Sequence, residues 1–221
     1  MPGKAMMSYY EKIQRQCLDA WSLLLRYEVD PAHPVQVSRL ATQLFDSLIP
    51  VHHLGLLERN LLECAALLHD LGMLISEKRH HKHIMRMILN ADMPSFEERE
   101  KQIVANAARY HRRSFPKQKH REFGEMEETD QQTVRVLASI LRVADALDKS
   151  GEGIIEIEDC FLEERDFVIR GQNRGPYERE LKALEKKKDL FVFTFGVDVK
   201  LILQPAAEAD IPQNHLLRIT A

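Results

Sequence analysis

Six residues with metal-ligating side chains stand out: His33, His69, Asp70, His83, His111 and Asp145. Each lies in or beside a segment whose apolar residues recur at helical spacing. Imidazole nitrogens and carboxylate oxygens suit a mid-row divalent ion such as Mn, Fe, Co, Ni or Zn better than a hard all-oxygen calcium site, with Mg also admissible. His69 and Asp70 are adjacent. Two neighbouring side chains do not share one face of a regular helix, but at a frayed helix end both can reach a single ion. The run from Asn60 to Gly72 has that form: an apolar helix, then His-Asp, then a glycine suited to a C-terminal cap. His33 lies 36 positions before His69, and Asp145 lies 75 after Asp70, so the site has to be assembled by packing helices together. One ion would be held by His33, His69, Asp70 and Asp145. If Asp70 bridges, His83 and His111 stand where a second would sit. Such ions stabilise the attacking and leaving oxygens of a phosphate ester or anhydride and generate hydroxide between them.

Asp145 falls within an otherwise apolar helical face, where burying an acid is costly without a partner. Asp148 reads as a helix-end residue or a support for a ligand. His80 and His81 leave the choice of ligand beside His83 open, and His52, His53, His120 and His215 read as surface or locally satisfied histidines. Between Glu77 and Arg121 twelve Lys or Arg face five Asp or Glu, so positive charge surrounds the histidines and favours an anionic ligand. Lys82 and Arg112 are placed to neutralise phosphate oxygens. Lys117, Lys119 and Arg121 read as a solvated face. The aromatics there, Phe96, Tyr110 and Phe115, are too few for nucleic-acid stacking.

The elements that carry these residues can be outlined. Ser8-Tyr9-Tyr10-Glu11 forms a capping box for a helix running to about Tyr27. Asp30-Pro31 opens a second helix, which Pro50 ends. The third closes at His69-Asp70, and a fourth runs from about His81 to Leu89. Pro94-Ser95-Phe96-Glu97-Glu98 caps a fifth that reaches His111. A basic loop from Arg112 to about Glu128 precedes a sixth helix starting near Thr129 or Asp130. The character then changes. Ile154–Glu158 and Asp166–Arg170 alternate like strands, Glu178–Lys188 is a short charged helix, and Leu190–Gly196 and Val197–Leu203 are β-branched and aromatic runs. The expected fold is mainly α: an all-helical metal-binding domain over residues 1–150 and a small α+β subdomain over residues 151–221.

The 221 residues suffice for one generous domain or a core domain with an appendage. Apolar content of 44% and charged content of 29% place the chain among ordinary soluble globular proteins. A net charge of −3 offers no whole-chain attraction to nucleic acid or an anionic membrane. Cys17, Cys64 and Cys160 are too widely spaced for a disulfide or zinc pattern and suggest a reducing compartment. No apolar stretch approaches the roughly 18 residues of a membrane span, and Met1–Met7 lacks a signal-peptide apolar region. A cytoplasmic location is expected.

His-Asp after an apolar helix, an upstream histidine and the downstream run Ala144-Asp145-Ala146-Leu147-Asp148 resemble the HD superfamily of metal-dependent phosphohydrolases. Longer runs narrow the resemblance. Residues His69 to Ser76, His80-His81-Lys82-His83, Asn90 to Pro94, Arg109-Tyr110-His111-Arg112-Arg113 and Leu141 to Asp148 are similar to the C-terminal HD domain of the exopolyphosphatase/guanosine-pentaphosphatase (Ppx/GppA) family. The strand-rich tail looks like the small α+β end of those proteins, and the likeness covers roughly residues 10–205. It implies an HD-domain helical bundle holding one or two divalent ions through His33, His69, Asp70, His83, His111 and Asp145. In that family, phosphate-chain hydrolysis belongs to N-terminal actin-like ATPase-fold domains with glycine-rich phosphate loops. This chain has no such loops, so polyphosphatase activity is not carried over.

Two expectations follow. The first is a phosphohydrolase acting on a phosphomonoester, phosphodiester or nucleotide-like anion, with Asp70 at the metal and Lys82 or Arg112 on the phosphate. The second is a non-catalytic module that binds polyphosphate or a guanosine polyphosphate. The partners implied are an anionic phosphate-containing small molecule, a second copy of the chain, or a protein with the ATPase-fold domains. Neither a membrane nor nucleic acid is among them.

Overall fold

The computed structural model describes residues 2–28, 30–71, 80–112 and 114–206, with the side chains of 2–7 and 80–82 outside the description. The chain is mainly α. Its helices are α1 (Pro2–Arg26), α2 (Ala32–His52), α3 (Leu56–Leu68), α4 (His80–Asn90), α5 (Glu98–Arg109), a single turn α6 (Arg121–Gly124) and α7 (Glu128–Leu147). Then come β1 (Ile155–Glu163), β2 (Asp166–Asn173), α8 (Glu178–Lys187), α9 (Asp189–Phe195) and β3 (Asp198–Pro205). None of the described helices is long and apolar enough to cross a membrane.

Helix α7 is the axis of the fold. Val134, Leu137, Ile140, Leu141, Ala144 and Leu147 recur at helical spacing and are all fully buried, packed by α2, α3, α5, α8 and α9. The apolar core is one cluster that continues from these helices into Ile155, Phe167, Ile169, Leu190 and Phe191 of the C-terminal part. A polar knot sits inside the helical part. Gln16 Nε2 donates to Glu100 Oε2 at 2.7 Å, and Asn60 Nδ2 donates to Gln16 Oε1 at 2.8 Å, so α1, α3 and α5 meet without an unpaired amide at that point.

The sheet order is β1-β2-β3. β1 and β2 are antiparallel with a bulge between Ile157 and Asp159; β2 and β3 are parallel. Parallel neighbours need a crossover, and α8 with α9 supplies it. Phe191 of α9 stacks on Phe167 of β2, ring centroids 5.4 Å apart.

Several expected boundaries move. Ser8 lies inside α1, because the backbone is already helical from Pro2, and a residue in helical conformation cannot act as an N-cap. Pro50 does not end α2. It removes one donor, yet the helix runs on to His52, whose Nε2 bonds the Phe45 carbonyl at 3.1 Å and whose ring packs on Phe45. The helix stops at His53, with φ 55°. Helix α5 is capped by Glu97 and Glu100, not from Ser95: Glu97 N donates to Glu100 Oε2 at 2.9 Å. The basic loop contains the unforeseen turn α6. The run Leu190–Gly196 is a helix, where the aromatic pattern suggested a strand. Phe191 and Phe195, one helical turn apart, pack at 4.6 Å, Phe193 is 68% exposed, and Gly196 at φ 72° caps the end.

Candidate metal centre

Four helix ends converge on one point. The first turn of α2 supplies His33 and the end of α3 supplies His69 and Asp70. The end of α5 supplies His111, and the last turn of α7 supplies Asp145. Asp30 Oδ1 accepts the Ala32 amide at 3.0 Å and so fixes the turn that carries His33.

His33 Nε2 stands 3.8 Å from Asp70 Oδ2 and 3.7 Å from Asp145 Oδ1. His69 Nε2 stands 3.5 Å from Asp70 Oδ2 and 4.0 Å from Asp145 Oδ1. His111 Nε2 stands 3.6 Å from Asp70 Oδ1. These separations exceed hydrogen-bond length. The ligating atoms of His33, His69 and Asp70 lie within 4.8 Å of one another.

The back of each ring is tied down. His69 Nδ1 donates to the Ala66 carbonyl at 2.7 Å, and His111 Nδ1 donates to the Ala108 carbonyl at 2.5 Å. A carbonyl only accepts, so both rings carry their proton on Nδ1 and present an Nε2 lone pair to the carboxylates. His33 Nδ1 bonds Asp148 Oδ2 at 2.7 Å, and Asp148 Oδ1 accepts the Gly153 amide at 2.8 Å. Asp148 is thus a fully buried support for His33.

The charges follow this arrangement. Burial works against a charge on His33, yet the Asp148 hydrogen bond and the Asp145 and Asp70 carboxylates raise its pKa above the ordinary imidazole value. Burial, and after it the neighbouring His69, pushes His111 down to about 3, leaving a neutral ring at neutral pH. Burial alone would raise Asp145, but the Lys187 ammonium outweighs it, so this carboxyl lies below the ordinary carboxylate value.

Lys187 is the functional candidate that sequence reading missed. The last residue of α8, it pairs through Nζ with Asp145 Oδ2. Its helix read as a short charged segment, and only the clustering of Lys182, Lys186, Lys187 and Lys188 signalled more. Buried Arg142, one turn before Asp145, holds the same joint: Nε donates to the Lys187 carbonyl at 3.1 Å, and Nη2 pairs with Asp189 at 2.6 Å.

The other expected residues are placed as follows. His83 is not brought to this group; it lines a hollow of about 380 Å³ with Leu23, Arg26, Tyr27 and Arg86, on the side of α4 toward α1. Arg112 follows His111 directly, and its charge is felt at Lys187. The Lys82, His80 and His81 side chains, Gly72 and His215 lie outside the described residues. His120 is satisfied by the Tyr110 hydroxyl at 2.8 Å.

The family model described as "Ppx/GppA phosphatase, domain III" matches residues 18–180, well over half of the chain. The chain belongs to this family. The Ppx/GppA domain III match takes in His33, His69, Asp70, His111 and Asp145, and ends seven positions before Lys187. Curated relatives carry the name guanosine-5'-triphosphate,3'-diphosphate pyrophosphatase. The protein from Aeromonas hydrophila is 34% identical over 124 residues, 56% of this chain and 24% of the relative. That from Aeromonas salmonicida is 32% identical over 124 residues, 56% of this chain and 24% of the relative. That from Pseudoalteromonas translucida is 31% identical over 108 residues, 48% of this chain and 21% of the relative. The chain spans at most about a quarter of the length of these Ppx/GppA relatives, 24% at the widest match.

Proposed function

We propose that the chain is a metal-dependent phosphohydrolase of the HD superfamily, acting on a phosphate ester or nucleotide-like anion. The observation that carries this reading is the convergence of His33, His69, Asp70, His111 and Asp145, with imidazole Nε2 atoms turned toward carboxylates. The residues fit a divalent ion. His69 Nε2 is buried with no hydrogen-bond partner among the described residues, an arrangement rarely left unsatisfied. Ligand atoms about 2.0–2.2 Å from a common ion stand roughly 3–4 Å from one another, the range of separations found here. Neutral imidazoles and ionised carboxylates are the forms a metal requires. His33, His69, Asp70 and Asp145 would hold one ion, and His111 with Asp70 could contribute to a second. When bound, such an ion polarises a phosphoryl oxygen and acidifies water.

The chain's own residues do the rest. Asp148 and the Ala66 and Ala108 carbonyls orient the rings. Arg112, directly after His111, brings positive charge to this end of α5, where an anionic phosphate would be oriented. The names of the relatives make guanosine polyphosphates the first substrates to try.

A second reading is favoured by coverage, since the match takes in only 24% of the relatives from Aeromonas. In that reading the chain is a binding or regulatory module for guanosine polyphosphate or polyphosphate, working with a protein that carries actin-like ATPase-fold domains.

Elemental analysis of the purified protein and of Asp70→Ala, paired with a phosphatase and phosphodiesterase panel that includes guanosine polyphosphates, tests the choice. Bound transition metal, lost together with hydrolysis in the variant, supports the enzyme. Tight anion binding with no turnover supports the module. Metal-independent hydrolysis unchanged in the variant overturns the metal reading.

A further inference from the structure

Lys187 stands between two features. On one side its ammonium pairs with Asp145 Oδ2, while Asp145 Oδ1 faces His33 Nε2 at 3.7 Å and His69 Nε2 at 4.0 Å. On the other side it lines an open hollow of about 430 Å³ whose further walls are Lys149, Arg179, Lys182, Ala183 and Lys186, with no acidic residue among them. The surface of the hollow is mostly apolar, the aliphatic stems of five basic residues, so a ligand seated there would have basic side chains around it in a chain of net charge −3.

The backbone that carries Lys187 is held at both ends of α8. Glu180, fully buried, accepts the Ser150 amide on Oε1 at 2.7 Å, and Arg142 Nε donates to the Lys187 carbonyl at 3.1 Å. Helix α8 is therefore docked on the end of α7, which carries Asp145. The freedom left at this point is that of the Lys187 side chain, a compact charge on a four-carbon stem.

Asp145 cannot stand alone. Its side chain is only 6% exposed, and a buried carboxylate without a cation is strongly unfavourable. A divalent ion held by the same carboxylate would repel an ammonium a few ångströms away, more strongly here than in water. One cation therefore disfavours the other. A phosphorylated ligand in the hollow would in turn attract the displaced ammonium.

We propose that Lys187 is an exchangeable counter-ion: it neutralises Asp145 until a divalent cation takes that carboxylate, then turns toward the hollow lined by basic residues to face the anionic part of a phosphorylated ligand. This rests on the metal-centre reading above. Cation and anion then favour each other's binding, and the coupling is reciprocal. Lys187 is a positioning residue in this scheme, acting from a segment beyond the end of the family match at residue 180.

The test is calorimetric titration of metal-stripped protein with MnCl2, with and without sodium sulfate as an unreactive phosphate mimic. The wild type is compared with Lys187→Gln and Lys187→Arg. Lys187→Gln is expected to bind Mn2+ about tenfold more tightly in the absence of sulfate and to lose most of the enhancement that sulfate gives the wild type. Lys187→Arg, which keeps the charge, is expected to stay near the wild type. Lys187→Met, uncharged and of similar length, serves if the glutamine variant does not fold. Equal or weaker Mn2+ binding in the uncharged variants, with measurable binding in the wild type, overturns the exchange and means that both cations share the carboxylate. Absence of Mn2+ binding in the wild type itself overturns the metal-centre reading, and this proposal with it.

Discussion

His33 and Asp148, 115 positions apart in sequence, are joined by a hydrogen bond of 2.7 Å between Nδ1 and Oδ2. The bond fixes the ring at the start of α2 against the end of α7 and leaves Nε2 facing Asp70 and Asp145. Carboxylate support of a ligating imidazole is worth about 10–100-fold in metal affinity. Asp148→Asn is therefore expected to bind Mn2+ or Zn2+ more weakly by about that factor, measured by competition with a chromophoric chelator. Unchanged affinity would remove Asp148 from the centre.

The same pair gives the metal-free protein a pH dependence. The pKa of His33 is raised in the fold, so the folded state holds the proton more tightly than the unfolded chain does. Its contribution to stability is full below the unfolded value of about 6.5 and is lost as pH rises through the raised folded value. In urea unfolding of metal-free protein, wild type is expected to exceed His33→Gln by more at about pH 5 than at about pH 8. A gap that widens toward alkaline pH would contradict the assignment.

Gly171 tests the sheet independently of the site. It pairs with Ile157 where β1 bulges, and a Cβ placed there would collide with the Glu156 carbonyl oxygen. The backbone has to shift to admit any side chain. Gly171→Ala is expected to cost about 1–3 kcal/mol in chemical denaturation while leaving metal content as in wild type. Wild-type stability in this variant would mean that the bulge is loosely held.

The cysteines should differ in reactivity. Cys17, half-buried, has its pKa lowered chiefly by a hydrogen bond from Cys64. Cys64 is buried and raised well above the ordinary thiol value, first by that bond and then by burial. Burial pushes Cys160 up to about 12. Iodoacetamide labelling of native protein, followed by peptide mass spectrometry, is expected to modify Cys17 first and Cys64 last. Early labelling of Cys160, half-buried like Cys17, would contradict its raised pKa.

The sequence exposed the site's ends better than its walls. An adjacent His69-Asp70 after an apolar run announces itself, because the helix period and the ligand types coincide there, and Asp145 stood out as an acid in an apolar stripe. His83 could not be sorted from His111 by spacing, since both follow basic helical segments. Packing decides: α5 ends against α3 and α7, whereas His83 lies over α1. Lys187 was illegible for a different reason. Helix α8 is charged at nearly every turn, and only tertiary docking through Glu180 and Arg142 turns one of its lysines inward. The strand-like run at Leu190–Phe195 misled because aromatics serve either period, and the Phe191–Phe195 contact across one turn selects the helix.

Anomalous diffraction at the Mn or Zn edge, from crystals of the protein grown with that ion, addresses the central claim most directly. The expected result is a peak ligated by His33, His69, Asp70 and Asp145, with any second peak at His111 and Asp70. No peak in that group, or a peak only elsewhere such as at His83, would contradict a metal centre built from these residues.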